Sequence, residues 1–140
     1  LWGANHFASR LPDSGRWLVW DKRDGVCSND QADVELAWVK GGGNARIIRH
    51  LWNGMLKASE RSEQRVHPTQ KPVQVMSWCL SFFPDAQTIL DPFMGSGTTL
   101  VAAKNLGKKA IGIEISEEYC RIAVERLAQK NLFGQTGDSQ

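Results

Sequence analysis

Ile89-Leu90-Asp91-Pro92-Phe93-Met94-Gly95-Ser96-Gly97-Thr98-Thr99 is the stretch on which the reading of this chain turns. With Thr88, the residues Ile89 and Leu90 make a short apolar run that suits a buried strand. Asp91-Pro92 stops it, because a proline donates nothing to a sheet ladder. Gly95 and Gly97 permit a tight turn and a close approach of backbone to a ligand. From Thr98 the spacing of Leu100, Val101, Ala103, Lys104 and Leu106 is helical, with Gly107 as the stop. Strand, glycine turn and helix in this order form the nucleotide-site unit of an open α/β sheet.

The residues beyond the turn add weight to it. Ala110-Ile111-Gly112-Ile113-Glu114-Ile115 is a second short apolar strand ending in an acid, nineteen residues past Gly95. An acid at that distance, at the tip of the second strand, is placed to accept hydrogen bonds from a ribose diol. Ser116 is a helix cap, followed by Glu117 and Glu118 in the positive first turn. The ligand indicated contains adenosine. A dinucleotide fits poorly, since Leu100 stands where the fingerprint needs Gly or Ala. No Gly-Lys-Ser/Thr follows, which excludes a P-loop. S-adenosylmethionine remains, with its carboxylate meeting the N–H groups that open the helix.

Asp91-Pro92-Phe93-Met94-Gly95-Ser96-Gly97-Thr98-Thr99 resembles the cofactor motif of the DNA amino-methyltransferases, which act on adenine N6 or cytosine N4. In the permuted group of that family a His-Pro-Thr-Gln-Lys-Pro signature precedes the motif by about twenty residues, and His67-Pro68-Thr69-Gln70-Lys71-Pro72 stands there. Leu1-Trp2-Gly3-Ala4-Asn5-His6-Phe7 and Trp17-Leu18-Val19-Trp20-Asp21-Lys22 resemble the phage and prophage members. The likeness extends to about residue 130.

The resemblance implies a Rossmann-like methyltransferase fold, α/β, with a mixed sheet and helices on both faces, incomplete in this chain. It implies S-adenosylmethionine as cofactor, double-stranded DNA as partner, and no metal. Glu114 would hold the ribose hydroxyls and Ile115 would line the adenine pocket. Asp91, followed by Pro92, would lie near the methionine amine or sulfonium, with Phe93 packed on the methionine part. Gly95 and Gly97 would let the backbone approach, while Ser96, Thr98 and Thr99 offer hydroxyls and N–H groups to the carboxylate. Thr69, Gln70 and Lys71 would also reach that carboxylate.

One family element is missing. The catalytic Asp/Asn/Ser-Pro-Pro-aromatic motif aligns the target amine and stacks on the flipped base. These 140 residues contain no Pro-Pro pair. In the permuted group that motif lies upstream of the Leu1-Trp2-Gly3 region, so no catalytic residue is expected in this chain and the fragment alone is expected to be inactive. The family's catalytic strand lies between the strand at Thr88–Leu90 and the one at Arg16–Trp20. Its absence would leave two open edges, an invitation to homodimer formation or strand exchange, unless the chain was cut from a longer protein.

Composition sets the remaining bounds. A chain of 140 residues with 41% hydrophobic and 23% charged residues is one ordinary globular domain. Three cysteines (Cys27, Cys79, Cys120) in no paired spacing point to a reducing compartment without a disulfide frame or zinc site. There is no apolar run of about 18 residues and no signal peptide, so the expected location is the cytoplasm of a bacterium or a phage-infected host, with no membrane partner. Residues 1–133 read as a partial methyltransferase domain, a hairpin-containing half (1–66) and a cofactor-binding half (67–133), followed by a flexible tail at 134–140. Strands are expected at Arg16–Trp20, Ala32–Lys40 and Ala45–Trp52, the last two joined as a hairpin by Gly41-Gly42-Gly43-Asn44. Helices are expected after Lys71, with Val73, Met76, Leu80 and Phe83 on one face, and from Glu117 to Lys130, with Tyr119, Ile122, Ala123 and Leu127 inward.

Between Lys40 and Lys71 seven basic residues face two acids. Beside a cofactor site this is a candidate phosphate-contacting surface, carried by Arg46, Arg49, Lys57, Arg61 and Arg65 within 40–66. Two other classes stay open at this point. One is a non-catalytic cofactor- or DNA-binding prophage remnant; the other is a nicotinamide-dependent oxidoreductase.

Overall fold

The structure, a computed structural model, describes residues 1–25, 32–53, 56–60 and 70–129. The chain divides into two compact units, Leu1–Ser62 and Glu63–Gln140.

The first unit is built round β1 (Trp17–Asp21), which lies between β2 (Val34–Trp38) and β3 (Arg46–Arg49). β2 runs antiparallel to β1, with Trp17 opposite Trp38 and Asp21 opposite Val34. β3 runs parallel to β1, with Leu18 opposite Arg46 and Asp21 opposite Arg49. Two expectations are corrected here. The strands flanking the glycine run do not form a hairpin, because β1 lies between them. Nor does β1 carry an open edge. Gly41, Gly42 and Gly43 all adopt positive φ (100°, 72° and 114°), a run no other residue type would tolerate. Gly43 lies under the Arg16 guanidinium, which a Cβ there would strike. The glycines therefore carry the chain past the start of β1 instead of turning it straight back.

The tryptophans explain how so short a segment is packed. Trp20 is 1% exposed, and its indole N–H donates to the His50 carbonyl at 2.9 Å. Trp2 meets Trp20 edge-on at 6.3 Å between centroids. Trp38 and Trp52 are also buried, and the Trp38 indole donates to the Pro12 carbonyl at 3.2 Å. Each large ring fills core volume while its polar tip finds a backbone acceptor. Ahead of β1, Ala4–Arg10 forms a 3-10 helix. After β3, β4 (Trp52–Asn53) pairs antiparallel with β5 (Leu56–Lys57), where irregular chain was expected.

The second unit contains α1 (Val73–Ser81), β6 (Thr88–Asp91), α2 (Thr98–Asn105), β7 (Lys109–Gly112) and α3 (Glu117–Ala128). β6 and β7 pair in parallel, with Ile89 opposite Ala110 and Asp91 opposite Gly112. α2 lies on both strands, and α1 and α3 pack on α2. Leu80, Ala102 and Ala103 form the centre of this core, with Val73, Met76, Ile89 and Ala110 against it. The stripe read for α1 needs one change: Val75 is fully buried, whereas Phe83 lies beyond the helix and is 41% exposed. At the start of α3 the Ser116 hydroxyl accepts the Tyr119 N–H at 3.4 Å, as a cap should. The tail expected from 134 lies outside the described residues.

Helices do not cover both faces of the β6–β7 pair. Ile89, Ala110 and Gly112 turn toward α2, while Leu90 (61%), Ile111 (55%) and Ile113 (56%) are exposed on the other side. Alternation in a strand sends neighbouring side chains to opposite faces. An unbroken apolar run marks two faces suited to burial, and only α2's face is covered.

Candidate functional site

The glycine turn is tied to β7 by backbone and by one side chain. The Ile113 N–H donates to the Asp91 carbonyl at 2.9 Å, and the Met94 N–H donates to the Ile113 carbonyl at 3.0 Å. The Asp91 Oδ1 accepts the Phe93 N–H at 3.1 Å, an Asx turn that starts the loop. Glu114 completes the link: its Oε2 accepts the Gly95 N–H at 3.0 Å and its Oε1 accepts the Ser116 N–H at 2.9 Å. The acid at the tip of the second strand thus holds both the glycine loop and the cap of α3.

Gly97 has φ of 79°, and a Cβ there would fall 2.7 Å from the Ala123 Cβ. Its glycine is required by α3 packing on the turn as well as by the backbone, which corrects a reading based on ligand approach alone. Gly95, at φ 51°, is buried as well. Ser96 (3% exposed) and Thr98 (7%) point inward. Arg126 on α3 donates through Nη1 to the Ser96 carbonyl at 2.9 Å, to the Ser96 hydroxyl at 3.2 Å and to the Thr98 hydroxyl at 3.1 Å. These two hydroxyls, expected to face a ligand carboxylate, are engaged from beneath. What the loop turns outward is backbone at the start of α2, where first-turn N–H groups lack intrahelical acceptors.

Gln70, 7% exposed, joins this arrangement: the Ser96 hydroxyl donates to its Oε1 at 3.5 Å. The His67–Pro72 signature therefore reaches the glycine loop through Gln70. Lys71 is half-buried beside the buried Pro72 that precedes α1, while Thr69 lies outside the described residues. Pro92 is exposed, as are Phe93 (89%) and Ile115 (102%). The last two are apolar side chains held in solvent on the two segments that Glu114 ties together.

Two residues here escaped sequence reading. Arg126 resembles any charge on an amphipathic helix, and only its fall one turn after Ala123 hints that it shares the inward face. Gly112 sits inside a strand run; an isolated glycine there signals a close approach. A Cβ on it would strike the Met94 sulfur and stand 2.8 Å from Leu100 Cδ2. Leu100 therefore does not hold α2 away from the sheet, because the space is provided on the strand.

Among the basic candidates of the first unit, Arg46 is exposed at the start of β3. Arg49 pairs with Asp21 at 3.6 Å, and the Lys57 ammonium lies 4.8 Å over the Trp52 ring. Arg61 and Arg65 lie outside the described residues. Among the described residues no group of three or more His, Cys, Asp or Glu is placed to hold a metal ion.

Residues 17–125 match the family model of N6/N4 methyltransferases, described as DNA methylase. The chain is 35% identical over 118 residues to the Type II methyltransferase M2.LlaDCHI of Lactococcus lactis subsp. cremoris, covering 84% of this chain and 43% of that one. It is 33% identical over 115 residues to M2.DpnII of Streptococcus pneumoniae, covering 81% and 42%. Among solved structures, the M1.HpyAVI–SAM complex superposes with a TM-score of 0.58 at 34% identity, over 81% of this chain and 61% of that chain. A DNA modification methylase of Thermus thermophilus, TTHA0409, complexed with S-adenosyl-L-methionine, gives 0.51 at 23% identity over 80% and 51%, a likeness of fold alone. The chain spans less than half the length of these two Type II methyltransferases.

Proposed function

This chain belongs to the N6/N4 DNA methylase family, and on that premise we propose that its second unit holds S-adenosylmethionine for methyl transfer to an exocyclic amine of adenine (N6) or cytosine (N4) in DNA. The observation that carries this reading is the Glu114–Gly95 hydrogen bond at 3.0 Å, which fixes an acid beside the glycine turn at the adjoining strand ends.

The residues present fit the cofactor part by part. Glu114 supplies a carboxylate for a ribose diol; each of its oxygens accepts an N–H, and a carboxylate oxygen has two lone pairs to offer. The opening of α2 presents N–H groups and the positive end of its dipole to a carboxylate. Gln70, Lys71 and Thr69 are assigned to the same end, and Asp91 to the amine. Phe93 and Ile115 offer apolar surface for the methionine chain and the adenine. When bound, the cofactor supplies an electrophilic methyl on sulfur. This chain's own residues bind and orient; alignment of the target amine falls to a Pro-Pro motif, which these 140 residues do not contain.

For the DNA we assign Arg46, Arg49, Lys57, Arg61 and Arg65 to the phosphates of a duplex. Such contacts hold the backbone without reading sequence. Among the described residues β6 pairs with β7 alone. That edge would take either the strand bearing the missing motif or a second copy of the chain, as a homodimer or by strand exchange. The proposed place of action is the bacterial cytoplasm, where the DNA substrate is; no helix among the described residues is long and apolar enough to cross a membrane.

Calorimetric titration of the chain with S-adenosylmethionine tests the core of this proposal. Saturable binding that is lost in Glu114→Ala supports it. A folded chain that binds nothing, or a Glu114→Ala chain that binds as well as the wild type, overturns it.

A further inference from the structure

We propose that Arg126 is a positioning residue for the methionine end of the cofactor: it sets the glycine loop and, through Ser96, the amide of Gln70. The inference rests on the S-adenosylmethionine reading above and names a side chain which that reading does not use.

α3 meets the loop at two points one turn apart. Ala123 sits against Gly97, close enough that a Cβ on Gly97 would stand 2.7 Å from its own. Three residues on, Arg126 directs one guanidinium nitrogen at three oxygens: the Ser96 carbonyl (2.9 Å), the Ser96 hydroxyl (3.2 Å) and the Thr98 hydroxyl (3.1 Å). That nitrogen has two protons, so the three acceptors share them. The arrangement depends on a planar fork at fixed height, which a lysine does not reproduce.

The polarity of the chain of hydrogen bonds follows. Ser96 Oγ accepts from Arg126, so its own proton goes to Gln70 Oε1 at 3.5 Å. The Gln70 oxygen is thereby turned to the loop and its NH₂, the end that donates to anions, is turned from it. A cation beneath the loop also makes the first turn of α2 more attractive to a carboxylate. Both effects act on the amino-acid end of the ligand and leave the ribose and adenine contacts alone.

The test compares two ligands across variants. S-adenosylmethionine carries the amino-acid part; 5′-methylthioadenosine lacks it. Binding of both is measured calorimetrically to the wild-type chain, Arg126→Gln and Arg126→Lys, with thermal melts alongside. We expect Arg126→Gln to weaken S-adenosylmethionine binding by about tenfold or more, the loss of one or two charge-assisted hydrogen bonds, with 5′-methylthioadenosine changed less than about threefold. Arg126→Lys should show the same split at smaller size, and it replaces the glutamine variant if that one does not fold. Equal losses for both ligands, or no loss for either, overturn the inference. A wild-type chain that is folded yet binds no S-adenosylmethionine overturns the functional reading itself, and is seen before any variant is made.

Discussion

Gly112 on β7 makes room for Leu100 on α2: a Cβ on Gly112 would stand 2.8 Å from Leu100 Cδ2 and 3.1 Å from Cδ1, and would strike the Met94 sulfur. Helix and strand come together here by placing the small residue on the strand and the large one on the helix. Leu100 is 7% exposed, so its side chain has little room to move aside. Gly112→Ala is expected to destabilise the chain by about 1–3 kcal/mol, the usual cost of overpacking. Gly112→Ala with Leu100→Ala should lose less than the two single losses added, because the second change removes the clash. Urea melts of the four chains measure the coupling; strict additivity would mean the two residues do not compete for this space.

Glu114 contributes two acceptors to two backbone N–H groups, and a glutamine has a single oxygen to offer. Glu114→Gln should leave either Gly95 N–H or Ser116 N–H without its partner. Loosening of the loop and loss of the charge act together on a ribose. Affinity for S-adenosylmethionine should fall by about tenfold or more, on the scale of one hydrogen bond to a charged group. Titration of the variant gives the answer, and an unchanged affinity would remove Glu114 from the ribose site.

The second unit was largely legible because local patterns decide it. Thr88–Leu90, the glycines, Gly107 and Ser116 each signal a stop or start within a few residues, and β6, α2, β7 and α3 follow from them. Pairing in the first unit was not legible. Strand periodicity in Ala32–Lys40 and Ala45–Trp52 marks strands without naming their neighbours, and three glycines fit a hairpin as well as the crossing observed. At the site, the sequence identifies backbone turns and charges better than side-chain direction. Ser96 and Thr98 read as ligand-facing donors, yet both serve Arg126 from inside. No local signal distinguishes an inward hydroxyl from an outward one; that depends on which helix packs behind it.

Lys108 is a structural residue that a run of two lysines conceals. Its ammonium donates to three carbonyls in the turn after α1: Phe83 at 3.3 Å, Pro84 at 2.9 Å and Ala86 at 2.6 Å. A cation there matches the negative end of the helix dipole. Lys108→Met keeps the aliphatic stem and removes the donor, and it should cost about 1 kcal/mol, given that the turn is partly solvated. Lys109→Met, one residue along and exposed, is the control and should change little. Thermal melts compare them; equal effects would deny Lys108 this role.

His50 should make stability depend on pH near neutrality. It is 4% exposed, with its Nε2 2.9 Å from the Ser59 hydroxyl and its ring stacked near Trp52 at 6.4 Å. Burial disfavours the charged imidazole and lowers its pKa below the ordinary 6.5, against an opposing pull from Asp24. Through the window between the two values the unfolded chain binds the proton and the folded chain does not. Stability from this residue is therefore complete above about 6.5, falls as pH drops through that value, and levels off below the folded pKa. His50→Gln keeps a polar side chain and removes the titration. The melting temperature of the wild type minus that of the variant should shrink between pH 7.5 and 5. A difference that stays constant would show that the imidazole titrates alike in the folded and unfolded chain.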